Sequence, residues 1–195
     1  MLIDLHCHTK VHSACSALTP DALVRVARGR GLDGVCMTEH DALWPLDEVA
    51  RVAAEMEFVV LRGMEVTTEV GHVLVFGVPY HHSSMATLGE LRRIVRAEGG
   101  LMYLAHPSRR YGSLPPDDLA SVFDSVEVHN GTEGILQNDN AARLAQGLAL
   151  PGIGGSDSHA VREVGVCATD FVDDVRDEAA FLQALRAGRY TARRV

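Results

Sequence analysis

The sequence predicts an α/β fold in which strands and helices alternate around a parallel sheet or barrel. Five segments have the amphipathic spacing of helices, and short apolar runs typical of buried strands lie between them. The strand–helix units are about 25 residues long, the spacing typical of βαβ architectures. A chain of 195 residues, 47% of them hydrophobic, can build one domain with a full core. We therefore expect a single domain over residues 1–195.

The helices are predicted from their start and stop signals. The segment TPDALVRVARGRG at 19–31 carries the clearest set, with Thr19 as N-cap, Pro20 at the first helical position and a glycine at the end. Similar periodicity predicts four further helices, at 47–56, 88–99, 135–147 and 177–188.

Five apolar segments end in side chains that can bind a metal ion. The first, Leu2–His6, places His6 and His8 on one face, because side chains two apart in a strand project the same way. Four more strand-like runs are Gly34–Met37, Phe58–Met64, Leu101–Leu104 and Leu150–Gly154, and the groups that follow them are His40, Glu65, His106, Asp157 and His159. Since the carboxyl ends of parallel strands meet at one face, these groups are expected to form one cluster.

The ligand types predict the chemistry of the cluster. Imidazole and carboxylate ligands without thiolate suit zinc, manganese or iron. The set is too large for one tetrahedral ion, so two or more ions sharing a carboxylate are expected, with Glu65 as the best candidate bridge. Paired ions activate water and clamp the oxygens of a phosphate. The sequence thus favours hydrolysis of phosphoesters.

The order of the motifs DLHCHT, TEHD, GME, AHP, EVHN and GSDSH resembles the PHP domain, the family of polymerase and histidinol phosphatase domains. The resemblance covers about residues 2–191. It implies a distorted (β/α)7 barrel, similar to a TIM barrel, with a trinuclear metal site at its C-terminal face.

The resemblance also implies how two or three divalent ions would be shared. It assigns His6, His8, Glu65 and Asp157 to one ion, Glu65, His72 and His106 to a second, and His40 and His159 to a third. A hairpin-like return after Glu65 would bring His72 to the same end of the sheet.

The segment after DLHCHT departs from the family pattern. Ser13 occupies the position where the family most often has an aspartate ligand of the third ion, and His12 lies beside it. We expect His12 to take over as ligand; the alternative is a weakly held third ion.

Two arginines follow AHP directly and are candidates for binding phosphate. A guanidinium fork binds phosphate oxygens bidentately, and Arg109 is preferred over Arg110. The alternative is that both are solvated loop residues.

The segment EVHNG ends another apolar strand. Glu127 and His129 are predicted to share a strand face, and His129 and Asn130 are predicted to contact substrate or surround the ligands. Asp41 is expected either to accept a hydrogen bond from an imidazole or to cap the following helix.

The predicted reaction uses no protein nucleophile. A metal-bridging hydroxide would attack phosphorus on ions held by Glu65 and Asp157, and His159 or His12 would protonate the leaving oxygen. One alternative is amidohydrolase-like cleavage of C–N or C–O bonds, which is disfavoured because Lys10 is the only lysine. Another is a non-catalytic metal-binding PHP module.

Charge and composition limit the partners. The net charge of −8 and the lack of a basic stripe argue against binding of long duplex nucleic acid. The expected partner is a small phosphorylated compound, with nucleotides and short oligonucleotides as options. Only about 20 residues separate AHP from EVHN, which predicts an open site. The four cysteines lack paired spacing, no leader opens the chain, and no apolar run nears the roughly 18 residues of a membrane span, so a cytoplasmic protein is expected.

Overall fold

The computed structural model describes residues 1–109 and 116–195, and these form one nine-stranded sheet flanked by helices. The strands are β1 (Leu2–Cys7), β2 (Gly34–His40), β3 (Val59–Thr68), β4 (Gly71–Phe76), β5 (Leu101–Leu104), β6 (Ser125–Asn130), β7 (Gly152–Gly155), β8 (Cys167–Phe171) and β9 (Tyr190–Arg194). Their order across the sheet is β7-β6-β5-β4-β3-β2-β1-β8-β9. Arg110 lies outside the described residues.

The helices follow their sequence signals closely. They are α1 (Pro20–Gly29), α2 (Leu46–Met56), α3 (Leu88–Ala97), α4 (Pro116–Val122), α5 (Ile135–Gly147) and α6 (Glu178–Ala187). The Thr19 hydroxyl accepts a hydrogen bond from the Ala22 N–H at 3.1 Å, so the predicted N-cap is confirmed. Short α4 was not predicted. No helix among the described residues is long and apolar enough to cross a membrane.

The α/β class is confirmed, but the sheet is mixed rather than parallel. Strands β1, β2 and β3 pair in parallel, as do β5, β6 and β7. Strand β4 is antiparallel to both of its neighbours because a tight hairpin returns the chain after β3. Strand β8 pairs antiparallel with β1 and with β9.

The sheet closes almost into a barrel where β7 approaches β8 and β1. The Thr169 hydroxyl binds both the N–H and the carbonyl oxygen of Gly154 at 2.9 Å, and the Asp4 carboxylate accepts the Ser156 N–H at 2.8 Å. A Cβ on Gly154 would lie 2.3 Å from the carbonyl oxygen of Ala168, so this contact requires glycine. Side-chain hydrogen bonds thus replace a strand ladder at the seam.

Two β-bulges sit in the strands that carry site residues. Between Asp4 and Cys7, β1 has one more residue than its partner β2, and between Glu127 and His129, β6 has one more than β7. A bulge breaks the simple alternation of side chains and turns the next one to a new direction. Cys7 accordingly packs in the outer core with helix α1, while His6 faces the barrel interior.

The barrel interior has an apolar end and a polar end. At the apolar end, α6 inserts Phe181 against Phe76 and Phe171, with ring centroids 5.3 and 6.1 Å apart. The hydroxyl groups of Tyr103 and Tyr190 meet there at 3.1 Å. The polar end lies at the carboxyl ends of the parallel strands.

Candidate metal centre

Glu65 lies at the centre of the polar end, where its fully buried carboxylate faces five imidazoles. Its Oε2 is 3.3 Å from His6 Nε2, 3.2 Å from His8 Nε2 and 2.9 Å from His40 Nδ1. Its Oε1 is 2.8 Å from both His72 Nδ1 and His106 Nε2. Each oxygen thus serves a separate set of nitrogens, which is the arrangement a bridging carboxylate needs.

Asp157 completes the set around Glu65 Oε2. Its Oδ1 lies 3.6 Å from His6 Nε2 and 3.4 Å from His8 Nε2. Ligands about 2.1 Å from a tetrahedral ion are about 3.4 Å from one another. The donor atoms of these four residues lie within 4.8 Å of one another.

Three of these buried atoms have no hydrogen-bond partner among the residues that the structure describes: His6 Nε2, His8 Nε2 and Glu65 Oε2. Buried polar atoms normally have one, because leaving them unpaired is costly. The distances from Glu65 Oε2 to the two nitrogens, 3.3 and 3.2 Å, match the edges of a coordination tetrahedron. The three atoms are not oriented to form hydrogen bonds with one another. The residues present therefore fit a divalent metal ion.

Glu127 holds two of the imidazole residues from outside the cluster. Its Oε1 lies 2.8 Å from His6 Nδ1, which leaves Nε2 facing Glu65. Its Oε2 accepts the His106 N–H at 2.8 Å. Such a carboxylate–histidine pair fixes the ring and its tautomer in metal sites. This role of Glu127 was not predicted from the sequence; the signal available was an acidic residue inside an apolar strand.

The backbone is strained at two cluster residues. His106 has φ 22° and Asp157 has φ 53°, and residues other than glycine rarely adopt positive φ values of this kind. The Asp157 N–H donates to the carbonyl oxygen of His6 at 2.7 Å, which holds the strained turn against β1. Strain of this kind is typical of functional sites, where surrounding contacts enforce a side-chain direction.

Three imidazoles form a partly exposed rim. The side chains of His40, His72 and His159 are 30%, 19% and 26% exposed, whereas those of His6 and His8 are completely buried. The rings of His40 and His159 stack on His8, with centroids 4.2 and 4.4 Å away. Together His8, His40 and His159 form another group whose spacing could hold a metal ion.

The charges in the cluster are strongly coupled. Burial alone would raise the pKa of the Glu65 carboxyl, but His6, His106 and His40 hold it well below its usual range. Burial would lower the pKa of His6, but the carboxylates of Glu127, Glu65 and Asp157 raise it well above the ordinary value. The cluster thus keeps its carboxylates ionised and attracts positive charge.

Arg109 contacts the outer oxygen of Asp157 rather than standing free in a loop. Its Nη1 donates to Asp157 Oδ2 at 2.9 Å, its Nε donates to Glu133, and its Nη2 donates to the Thr132 hydroxyl. Asn130, which is buried, reaches the same oxygen at 3.3 Å and donates to Glu127 at 3.0 Å. Both residues are therefore brought to the site.

His12 and His129 are not brought to the cluster. The His12 side chain is exposed, and its ring meets Trp44 edge-on with centroids 4.8 Å apart. The bulge after Glu127 breaks the alternation, so the predicted shared face is wrong; His129 has Arg194 and Asp139 as charged neighbours, while Asn130 faces the site. Ligand and substrate roles for the two histidines stay predictions.

Asp41 neither caps the following helix nor accepts a hydrogen bond from an imidazole of the cluster. Helix α2 begins at Leu46 after Pro45, so the predicted cap was wrong. The Asp41 carboxylate instead accepts the Thr67 N–H at 2.8 Å and lies 3.9 Å from His81 Nε2.

Comparison with known proteins identifies two successive matches in the chain. Residues 4–114 match the PHP domain family, and residues 136–190 match a family described as PHP-associated. Strands from both stretches lie in the same sheet. An uncharacterized protein of Methanocaldococcus jannaschii is 25% identical in an alignment of 150 positions that covers 71% of this chain and 88% of that protein.

Solved structures share the fold at low sequence identity. A two-domain protein of Bacteroides vulgatus that contains a predicted PHP-like metal-dependent phosphoesterase superposes with a TM-score of 0.74 at 21% identity, over 99% of this chain. This chain spans 64% of that protein. An amidohydrolase of Chromobacterium violaceum, solved with bound sulfate and no metal, gives a TM-score of 0.69 at 18% identity, covering 98% of this chain and 97% of that one.

Proposed function

The chain belongs to the PHP domain family, and we propose that it is a metal-dependent hydrolase that cleaves phosphoric esters of small phosphorylated compounds. The observation that supports this proposal is the buried Glu65 carboxylate, whose two oxygens face two separate sets of imidazoles. A shared carboxylate at this position favours two neighbouring ions, and paired ions suit displacement at phosphorus.

Two sets of residues would hold the ions. The spacing of His6, His8, Glu65 and Asp157 fits the first. Glu65, His72 and His106 are proposed for the second, because Glu65 Oε1 lies 2.8 Å from a nitrogen of each histidine. Zinc, manganese and iron all accept these ligands. When bound, such ions activate water and neutralise charge on the phosphoryl oxygens. The remaining rim imidazoles, His40 and His159, are proposed to hold a third ion.

The residues of the chain itself would bind and orient the ester. Arg109 carries five N–H donors in a rigid fork, and its described contacts with Asp157, Glu133 and Thr132 leave donors for a phosphoryl oxygen. Burial and the neighbouring His8 lower the pKa of His159. A neutral His159 is better suited to binding an ion than to giving a proton to the leaving oxygen.

The proposal is tested by assaying an aryl phosphate monoester, its diester and a short 5′-phosphorylated oligonucleotide after loading with Mn²⁺ or Zn²⁺. We expect turnover of at least one phosphoester, its loss after dialysis against a chelator, and its return with added metal. Metal content is measured on the same samples, so that an empty protein is not mistaken for an inactive one.

Two outcomes would replace the proposal. Cleavage of an N-acyl amino acid with no cleavage of any phosphoester would favour the amidohydrolase-like alternative, which the fold likeness to the Chromobacterium violaceum protein keeps in view. Stoichiometric metal binding without turnover of any compound would favour a non-catalytic metal-binding module.

A further inference from the structure

The Ser13 side chain, which replaces the aspartate expected from the family pattern, is buried beside His8. Its Oγ donates to Glu39 Oε2 at 2.5 Å, lies 3.4 Å from His8 Nδ1, and accepts the His40 N–H at 3.1 Å. Only 2% of Ser13 is exposed, and Glu39 is completely buried. The hydroxyl therefore joins a buried carboxylate to a ring of the metal centre.

Glu39 is held rigidly by donors from three directions. Its Oε1 accepts the Trp44 Nε1–H at 2.8 Å, the Thr9 hydroxyl at 2.5 Å and the Thr9 N–H at 3.1 Å. Its Oε2 accepts the Thr9 N–H at 3.0 Å in addition to Ser13. Since every one of these partners donates, the carboxylate cannot turn without losing hydrogen bonds.

The direction of these hydrogen bonds determines the tautomer of His8. A hydroxyl has one proton, and that of Ser13 is committed to the Glu39 carboxylate. Towards His8 the Ser13 oxygen can only accept, so Nδ1 must carry the hydrogen. The lone pair of His8 is then on Nε2, the atom that faces Glu65 and Asp157.

We propose that Glu39 is a positioning residue that acts through the Ser13 hydroxyl to fix the orientation and tautomer of His8 for metal binding. The inference rests on the proposed metal binding by the His6, His8, Glu65 and Asp157 set. It gives Ser13 a role that differs from the ligand role of the aspartate it replaces. Glu127 contacts the ring of His6 directly, whereas Glu39 reaches the ring of His8 through the Ser13 hydroxyl.

Glu39→Gln reverses the polarity of this chain of hydrogen bonds. Three donor contacts converge on Oε1, so the amide oxygen must keep that position and the NH₂ group must face Ser13. Ser13 would then accept from the amide and turn its own proton towards His8 Nδ1. The hydrogen of His8 moves to Nε2, where it blocks the ligand atom.

The first experiment measures zinc affinity by competition with a chromophoric chelator. Glu39→Gln and Ser13→Ala are each expected to weaken the tighter site by about 10- to 100-fold, the usual effect of losing a group that orients a ligand. The matched control is Ser16→Ala, which removes another buried hydroxyl of the same loop that binds the carbonyl oxygen of His8 but not its ring. We expect Ser16→Ala to stay within about threefold of the unaltered protein.

Unchanged affinity in Glu39→Gln and Ser13→Ala would overturn the proposal. Equal losses in Ser13→Ala and Ser16→Ala would also overturn it, because they would show that anchoring of the loop, not the ring contact, matters.

The second experiment needs no metal and separates this inference from the proposed function. Long-range ¹H–¹⁵N spectra of metal-free protein, at a pH where His8 is neutral, distinguish the tautomers; His8 is assigned by the signal lost in His8→Gln. We expect the Nδ1–H form in the unaltered protein and the Nε2–H form in Glu39→Gln. The same tautomer in both proteins would refute the relay, whereas failure of the unaltered protein to bind zinc would count against the proposed function alone.

Discussion

The imidazoles of the metal centre form two groups that differ in burial and in what holds them. The inner group, His6, His8 and His106, is 0–3% exposed, and contacts from Glu127 or Ser13 lie behind it. The side chains of the rim group, His40, His72 and His159, are 19–30% exposed to solvent. The inner group is a preformed cage, because its rings cannot move without disturbing buried hydrogen bonds. Under the proposed function, the ester would enter at the rim group.

Because of this difference in burial, we expect the inner group to contribute more to metal affinity than the rim group does. An inner ligand is fixed by groups that are themselves fixed, so little conformational freedom is lost when an ion binds. A rim ligand keeps solvent contact and must be ordered at binding. Both Glu65 and Asp157 contact the two groups, but Glu65 contacts five imidazoles and Asp157 contacts three.

The largest effect is expected from Glu65→Gln, which should weaken metal binding by the inner group and by the rim group at the same time. Both carboxylate oxygens face imidazoles, so an amide removes charge from both sets of ligands. We expect metal affinity at both sites to fall by more than about 100-fold, and turnover to fall with it.

Metal analysis by mass spectrometry and a phosphoester assay on one preparation check this result. Glu55→Gln is the control, since Glu55 is an exposed helical residue paired with Arg51. Loss of one ion with retention of the other would show that Glu65 does not join the two groups.

Glu127→Gln should separate the groups by loosening only the inner one. The amide cannot both accept from His6 Nδ1 and accept the His106 N–H as the carboxylate does. We expect the affinities of the two ions proposed for the His6 and His106 sets to fall by about 10- to 100-fold, while that of the third ion, proposed for His40 and His159, changes little. Titration with Mn²⁺, followed by the paramagnetic relaxation of water, would measure these affinities; equal weakening of all three would remove the distinction.

The pH dependence of metal binding should show that His6 in the inner group is protonated before an ion binds. The carboxylates raise the pKa of His6, so its proton must leave before an ion binds. Below that pKa the affinity is expected to rise by about tenfold per pH unit, and above it to level off. Calorimetry in buffers of different ionisation enthalpy counts the released protons; no proton release would contradict the raised pKa.

Arg109→Ala is expected to have the smallest effect and to act at the rim. Asp157 Oδ2 keeps the Thr132 hydroxyl at 2.9 Å and Asn130, so the metals should be retained within a few-fold. The KM for a phosphoester should rise by about three- to tenfold, as expected for loss of one exposed charged contact. Steady-state kinetics with Arg25→Ala as control checks this, and an unchanged KM would leave Arg109 with only its contacts to Asp157 and Glu133.

Features that depend on neighbouring residues in the chain were predictable from the sequence. Thr19 and Pro20 mark the start of α1 because a cap satisfies the N–H groups of the helix it begins. The ligands His6, His40 and Glu65 on β1, β2 and β3 could be grouped because the carboxyl ends of parallel strands share one edge of a sheet. The hairpin that brings His72 to Glu65 followed from its local turn.

Features that depend on contacts between distant segments were not predictable. A bulge in β6 turns Asn130 rather than His129 to the site, and periodicity alone cannot show it. Glu127 and Glu39 looked like ordinary acidic residues until their partners, His6 and Ser13, were placed beside them.

Five of the six described α-helices, the α/β class and the residue types that gather at the carboxyl ends of the strands could be predicted from the sequence, because each follows from local hydrogen bonding and periodicity. The folded molecule was needed to show that Glu127 contacts the outer nitrogen of His6, that His12 stays on the surface against Trp44, and that Ser13 connects Glu39 to His8. The physical reason is that the direction of a side chain, and the donor or acceptor it meets, depend on register, bulges and closure of the sheet. Those features are fixed by packing across the whole barrel.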